Sequence, residues 1–263
     1  MNHLIQDTLT MTRRNLAHVR QIPEKLLDVT IQPVMFVVLF AYVFGGVIAV
    51  PGSNYREYLI AGVIVQSLGF GIMGPATSVA TDLGEGVIDR FRSLPMARSA
   101  YLLGNLIAEL LSMSLAILVL SMAGLLVGWR IHSSPLEAIG GYALLLFFAF
   151  AMLWVGTYLG LMVRSPDAAQ GVVFIVIFPL TFLATTFVPI TGYSGVLRTI
   201  AAWNPISALS GAVRELFGNP TATPSNAPWP LTHAIMTSVG WCALIVAIAL
   251  PLALQRYAKK ARE

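Results

Sequence analysis

Charge is what this sequence has least of: 11% of its 263 residues are Asp, Glu, Lys or Arg, against 57% apolar. A water-soluble domain carries about a quarter charged residues to keep a hydrated coat, so an ordinary soluble globule is excluded. The apolar residues fall in long charge-free runs, the pattern of a chain that has lipid for solvent, and the mean hydropathy is +0.77. Lysine is scarcer still. The three present, Lys25, Lys259 and Lys260, all lie beside apolar runs, and no Gly-x-x-x-x-Gly-Lys-Ser/Thr stretch occurs. That excludes a lysine-based cradle for nucleotide phosphates. The single cysteine, Cys242, lies within an apolar run and excludes an internal disulfide. Four histidines (His3, His18, His132, His233) are scattered without metal-ligand spacing or a nucleophile partner. The net charge of +4 does not gather into a nucleic-acid patch; the basic residues form short clusters between apolar runs. Residues 1–21 are polar and lack an apolar core of signal-peptide length, so no cleaved leader is expected there.

What is present is a series of six apolar stretches, at about 31–50, 58–80, 101–128, 139–163, 168–188 and 232–254. Twenty helical residues at about 1.5 Å rise cross the ~30 Å hydrocarbon layer. The sequence therefore predicts an all-α membrane protein of six transmembrane helices in a single domain, 1–263. The second stretch is rich in glycine and is expected to kink near Pro75. Its Gly62, Gln66 and Gly69 share a face suited to close helix contact. Arg164-Ser165-Pro166-Asp167 reads as a tight polar turn.

Ahead of the first stretch, residues 3–20 read as a helix lying on the membrane, with Ile5, Leu9, Leu16 and Val19 on one face. Lys and Arg are distributed unevenly between alternate connections. Arg13, Arg14, Arg20, Lys25, Arg90, Arg92, Arg98, Arg164, Arg256, Lys259, Lys260 and Arg262 fall on one side, and Arg56, Arg130, Arg198 and Arg214 on the other. The positive-inside rule then predicts cytoplasmic termini.

Two connections carry more pattern than a link needs. In Asp82–Pro95, Val87, Ile88 and Phe91 form a short apolar face and Glu85, Asp89 and Arg92 a charged one, with Pro95 at the end. Interleaved acidic and basic residues beside an apolar stripe predict a helix that docks on another protein. In Pro189–Gly218, two helical patterns, 195–203 and 206–217, break at Asn204-Pro205. Neither is long enough to span, so both are expected to dip into the membrane and return where protein satisfies the backbone. Glu109 is the one acidic residue well inside a stretch; a packing anchor beside Asn105 is expected rather than a proton relay. No paired catalytic residues accompany it, which argues against an intramembrane enzyme, and a lone carboxylate argues against a proton-coupled carrier.

The amphipathic start, the six stretches, the Glu-Gly-x-x-x-Arg-x-x-x-Leu-Pro run of residues 85–95, and the late Trp203-Asn204-Pro205 followed by Ala-x-Arg-Glu-Leu-Phe-Gly (212–218) together resemble the type-2 ABC permeases. The likeness runs closest to drug and lipid exporters of the daunorubicin-resistance type. The resemblance covers nearly the whole chain and implies a fold shared with bacterial polysaccharide exporters and the human subfamily G transporters. It implies a bacterial plasma-membrane exporter in which two such permeases, identical or paralogous, pair above two separate ATPase subunits. ATP and Mg would sit on those subunits, with no cofactor, metal or catalytic residue on this chain. It also implies roles by position. Residues 1–22 would be a connecting helix. Residues 82–97 would be the coupling helix, with Glu85, Val87, Ile88, Asp89, Arg90, Phe91, Arg92 and Pro95 facing the ATPase. Residues 189–217 would be re-entrant gate helices with Pro189, Trp203, Asn204 and Pro205. Thr181, Thr185 and Thr186 would line the substrate path, and Glu109 would be structural. The expected cargo is a hydrophobic or amphipathic drug or lipid; the alternative within the same fold is a lipid-linked glycan or cell-wall lipid.

Overall fold

The computed structural model describes residues 7–13, 31, 34–44, 50, 54–87, 100–224 and 226–260, and among these it is helical with no strand. Its helices, in chain order, are α1 (7–13), α2 (Val34–Val43), α3 (Tyr55–Phe70), α4 (Met73–Gly84), α5 (Ala100–Val127), α6 (Pro135–Met162), α7 (Pro166–Phe182), α8 (Gly195–Trp203), α9 (Pro205–Leu216), α10 (Trp229–Thr232) and α11 (Ala234–Lys260). Four are long and apolar enough to cross a membrane: α3 and α4 taken together, α5, α6 and α11. The helices α2 and α7 are apolar but shorter.

Several boundaries differ from the sequence reading, each for a local reason. The second stretch breaks at Gly71–Ile72, ahead of Pro75. Proline lacks the N–H that would bond the carbonyl four residues back, and its ring crowds that carbonyl, so the ladder fails at Gly71 rather than at the proline. The fourth helix starts at Pro135, not 139. Ser134 and Glu137 form a capping box around it, with Pro135 in the first turn. Ser165 likewise caps α7, accepting from the Ala168 N–H, so the polar turn at 164–167 is also a helix start. The fifth helix stops at Phe182 instead of running to 188, and Thr185 and Thr186 therefore lie beyond it. The last helix runs on to Lys260 and carries Arg256 and Lys259 on its final turns. Asp82, Leu83 and Gly84 close α4 rather than opening a separate helix, and the chain turns at Glu85–Gly86.

The centre of the fold is α6, which packs on α11, α4, α9 and α5. Gly156 and Gly160, one turn apart on α6, let the backbone of α4 come in: a Cβ at Gly160 would lie 2.5 Å from the Ala76 carbonyl oxygen. Such close approach is how helices bind in lipid, where apolar surface alone gives little drive. Outward, α5 presents Ile107, Leu111, Leu115, Leu118, Met122 and Leu125, all more than two-fifths exposed. An unbroken apolar face repeating every three to four residues over a 28-residue helix would be untenable in water.

Candidate functional site

The densest polar organisation surrounds the C-terminal end of α7. A helix that stops leaves its last four carbonyls without intrahelical donors, and in an apolar surrounding each such group costs several kcal/mol (about 2–7) unless paired. Here the Leu183 N–H bonds Pro179, and the other three take their donors from side chains beyond the helix. Asn204 Nδ2 donates to the Leu180 carbonyl at 2.7 Å, and Thr186 Oγ1 to Thr181 at 3.1 Å. The Tyr193 hydroxyl donates to Phe182 at 3.3 Å and to Ala184 at 2.9 Å. The hydroxyls of Tyr58 and Tyr55 reach the Thr185 and Phe187 carbonyls at 2.7 and 3.2 Å.

Arg214 completes the set. Its Nε donates to the Tyr58 carbonyl, and its two terminal nitrogens donate to Thr185 and Thr186, all at 2.9 Å. The guanidinium carbon also lies 3.5 Å from the centroid of the Tyr58 ring. The residue is 1% exposed. Burial pulls its pKa below the ordinary guanidinium value, yet the group stays protonated at any biological pH. No carboxylate ion-pairs with it among the described residues; the compensation is the three backbone carbonyls of Tyr58, Thr185 and Thr186, together with the aromatic face. Such a group does no acid–base chemistry. It is a rigid three-pronged clamp joining α3, the 183–187 turn and α9.

Gly62 makes the clamp geometrically possible. A Cβ there would fall 2.8 Å from the carbonyl carbon and 3.0 Å from the Cα of Thr186, and closer still to its oxygen. Gly69, two turns along, meets Thr181 Cγ2 and Ile206 Cδ1 at ordinary contact distances of 3.4 and 3.5 Å. The face shared by Gly62, Gln66 and Gly69 therefore meets α7, its terminal turn and α9.

Asn204 and Pro205 sit within this assembly. Asn204 caps α9, its Oδ1 accepting from the Ile206 N–H at 2.8 Å while its amide holds Leu180, and Pro205 is the first residue of α9. Pro189 is buried and precedes the short turn Ile190–Gly192. Trp203 is 55% exposed and continues the outward apolar face of α8 formed by Val196, Leu197 and Ile200. Thr181, Thr185 and Thr186 are buried within the chain, and the Thr181 hydroxyl turns back to the Ile177 carbonyl at 2.9 Å. Asn204→Ala should cost about 1–3 kcal/mol, since it removes a helix cap and strands the Leu180 carbonyl. A melting-temperature measurement in detergent checks this, and Asn204→Asp, which keeps the cap but not the amide donor, should recover only part of the loss.

The remaining sequence-predicted residues lie elsewhere. Glu85 is exposed just past the end of α4, and Val87 is half-buried beyond the Glu85–Gly86 turn. Ile88, Asp89, Arg90, Phe91, Arg92 and Pro95 lie outside the described residues. The Glu109 carboxylate lies against Gly74 of α4, 2.5 Å from where a Cβ would stand. One turn away, Ser78 donates to Asn105 at 3.3 Å, so this part of the α4–α5 contact is polar.

A row of rings runs past the same end of α7. Phe70, Phe174, Phe178, Phe182, Phe187, Phe40 and Phe36 succeed one another at centroid separations of 6.4, 5.1, 4.3, 6.0, 4.5 and 5.7 Å. Phe174, Phe178 and Phe182 are 50, 41 and 42% exposed.

These features define a helical membrane protein whose described polar side chains bond largely to its own backbone; no cluster of metal-ligating side chains occurs among the described residues. More particularly, the chain belongs to the ABC-2 type transporter family, which it matches over residues 6–217. It is 30% identical over 256 residues to a daunorubicin resistance ABC transporter permease protein of Streptomyces coeruleorubidus, covering 97% of this chain and 87% of that protein. It is 25% identical over 232 residues to a doxorubicin resistance ABC transporter permease protein of Mycobacterium tuberculosis, covering 85% and 80%. A putative transport permease of Porphyra purpurea is 22% identical over 247 residues, covering 90% and 80%.

Proposed function

We propose that this chain is the permease subunit of an ATP-binding cassette exporter that moves a hydrophobic or amphipathic compound out across the plasma membrane. The observation that carries this reading is the near full-length likeness to permeases named for daunorubicin and doxorubicin resistance, in a sequence without a phosphate-cradling lysine loop. ATP and Mg would be bound by a separate ATPase subunit, and two permeases, identical or paralogous, would pair. In this reading α2 and α7 join the four long helices as spans, and α1 belongs to the connecting helix. The pair α8 and α9 forms the re-entrant gate, and both termini are cytoplasmic. The burial of Arg214 supports that orientation: removing it from the loop charges leaves three basic residues on the outer side against twelve on the inner. ATP-driven closure would pull the 82–97 segments together and tilt the spans. The exposed rings of α7 favour a cargo with apolar or aromatic surface over an inorganic ion.

Affinity purification from native membranes should bring down an ATPase in matching stoichiometry, and inside-out vesicles bearing the complex should accumulate doxorubicin only with ATP. Accumulation of a lipid-linked glycan in its place would move the cargo to the alternative class. A chain that purifies alone and transports without nucleotide would overturn the reading. Within the complex, Glu85→Ala and Arg92→Ala should each lower ATP-driven accumulation while leaving the permease folded; unchanged transport in both would remove the docking role from this segment.

A further inference from the structure

At the end of the molecule opposite Arg214, four elements meet at a single point. The carboxylate of Asp82 on α4 accepts a hydrogen bond from the Tyr101 hydroxyl on α5 at 2.7 Å. This tie joins the two ends of the excursion between α4 and α5. The Tyr101 ring, 4% exposed, stacks on Tyr257 of α11 with centroids 6.2 Å apart and planes 11° apart, and Leu83 packs into the same cluster. One turn along α5, Gly104 seats α1: Thr12 Oγ1 donates to the Gly104 carbonyl at 3.4 Å, and a Cβ at Gly104 would meet the Met11 side chain.

We propose that Asp82, Tyr101 and Tyr257 form a clasp that delivers movement of the 82–101 excursion to the last helix, making the three positioning residues for transport. The inference rests on the reading that this excursion is where the ATPase acts. Its physical basis is where the helices meet on the way to the Arg214 clamp: α4 and α5 pack on α6, and the tyrosine pair adds a direct contact from both onto α11. The direct route follows α4 into α3, which is broken at Gly71–Ile72, and a broken helix bends rather than transmits. The route by α11, which runs from Ala234 to Lys260 with Pro251 inside it, leads along α9, the helix that carries Arg214. A stacked pair of tyrosines with a charge-assisted hydrogen bond links Asp82 directly onto α11.

Two measurements test the clasp. In the purified permease alone, Tyr101→Phe and Tyr257→Ala should speed hydrogen exchange of the amides at 253–260. In vesicles carrying the full complex, Tyr257→Ala, Tyr101→Phe and Asp82→Ala should assemble with the ATPase and hydrolyse ATP as wild type does. The doxorubicin moved per ATP should fall about fivefold or more, the lower end of ordinary coupling between sites. Asp82→Asn keeps an acceptor for the phenol and should behave as wild type. A lesion that is merely structural would lower assembly and hydrolysis together, and that outcome overturns the proposal. So does wild-type transport per ATP in Tyr257→Ala. If the wild-type chain itself shows no ATP-driven transport, the driven-exporter reading fails and transmission falls with it. The exchange result then reports separately whether the tyrosines tie the helices.

Discussion

Gly62→Ala is expected to abolish the stable fold, a result out of proportion to one methyl group. Overpacking a core costs about 1–3 kcal/mol when side chains can shift. At Gly62 the obstacle is the Thr186 peptide itself, whose oxygen is already held by Arg214, so neither partner can yield. The cost should lie at or beyond the upper end of that range. Size-exclusion profiles of a fluorescent fusion would show the variant aggregated or missing. Gly171→Ala on α7 and Gly240→Ala on α11 are the controls. A Cβ at either meets nothing within 4 Å, and alanine should favour the helix by about 0.5–1 kcal/mol. Equal behaviour of all three variants would show that α3 does not approach the 183–187 turn as described.

Arg214→Met should be nearly as damaging. Methionine fills much of the volume but strips donors from the carbonyls of Tyr58, Thr185 and Thr186. Thr185 keeps the Tyr58 hydroxyl; the other two lose their bond to the cation. Bonds to a charged group contribute about 1.5–3 kcal/mol each, so a loss of roughly 4 kcal/mol or more is expected, a large part of a typical total of about 5–15 kcal/mol. Arg214→Lys keeps the charge but not the planar fork and should recover only a fraction. Tyr58→Phe removes one of two donors to Thr185 and should cost about 1 kcal/mol. Thermal unfolding in a single detergent orders the series as Met, Lys, Phe from worst to mildest. Wild-type melting of Arg214→Met would remove the clamp from the account.

What could be read from the sequence follows how local each signal is. Asn204-Pro205 places a cap and a first-turn proline side by side, so the division between α8 and α9 lies within one residue of its expected position. Ser134-Pro135-Leu136-Glu137 carries an equally local signal for the start of α6, which a reading by apolar content alone passes over because the first turn is not strongly apolar. The end of α7 has no local signal: the apolar run continues to Val188, and the helix stops where Asn204 and Tyr193, from beyond it, take the Leu180 and Phe182 carbonyls. Arg214 falls within the 206–217 helical pattern and counts among the charges of that connection, but its clamp has no local signal, its partners lying 156, 29 and 28 positions away. A hint existed in Ser207, Ser210, Gly211 and Arg214, spaced to share a face of α9 and all buried. A stripe of small residues ending in arginine is the mark of a backbone that comes close and must be bonded. The hydroxyls of Thr181 and Thr186 turn to the Ile177 and Thr181 carbonyls, contacts set by where α7 ends.

The corner between Leu180 and Phe187 brings its own solvation shell, built from tyrosine, asparagine, threonine and arginine instead of water. Most chain reversals owe their shape partly to hydration and would reorganise if the bilayer, a cavity or bulk solvent replaced one another around them. With the carbonyls of 180–182 and 184–187 bonded by the chain itself, this one should depend little on which solvent lies outside.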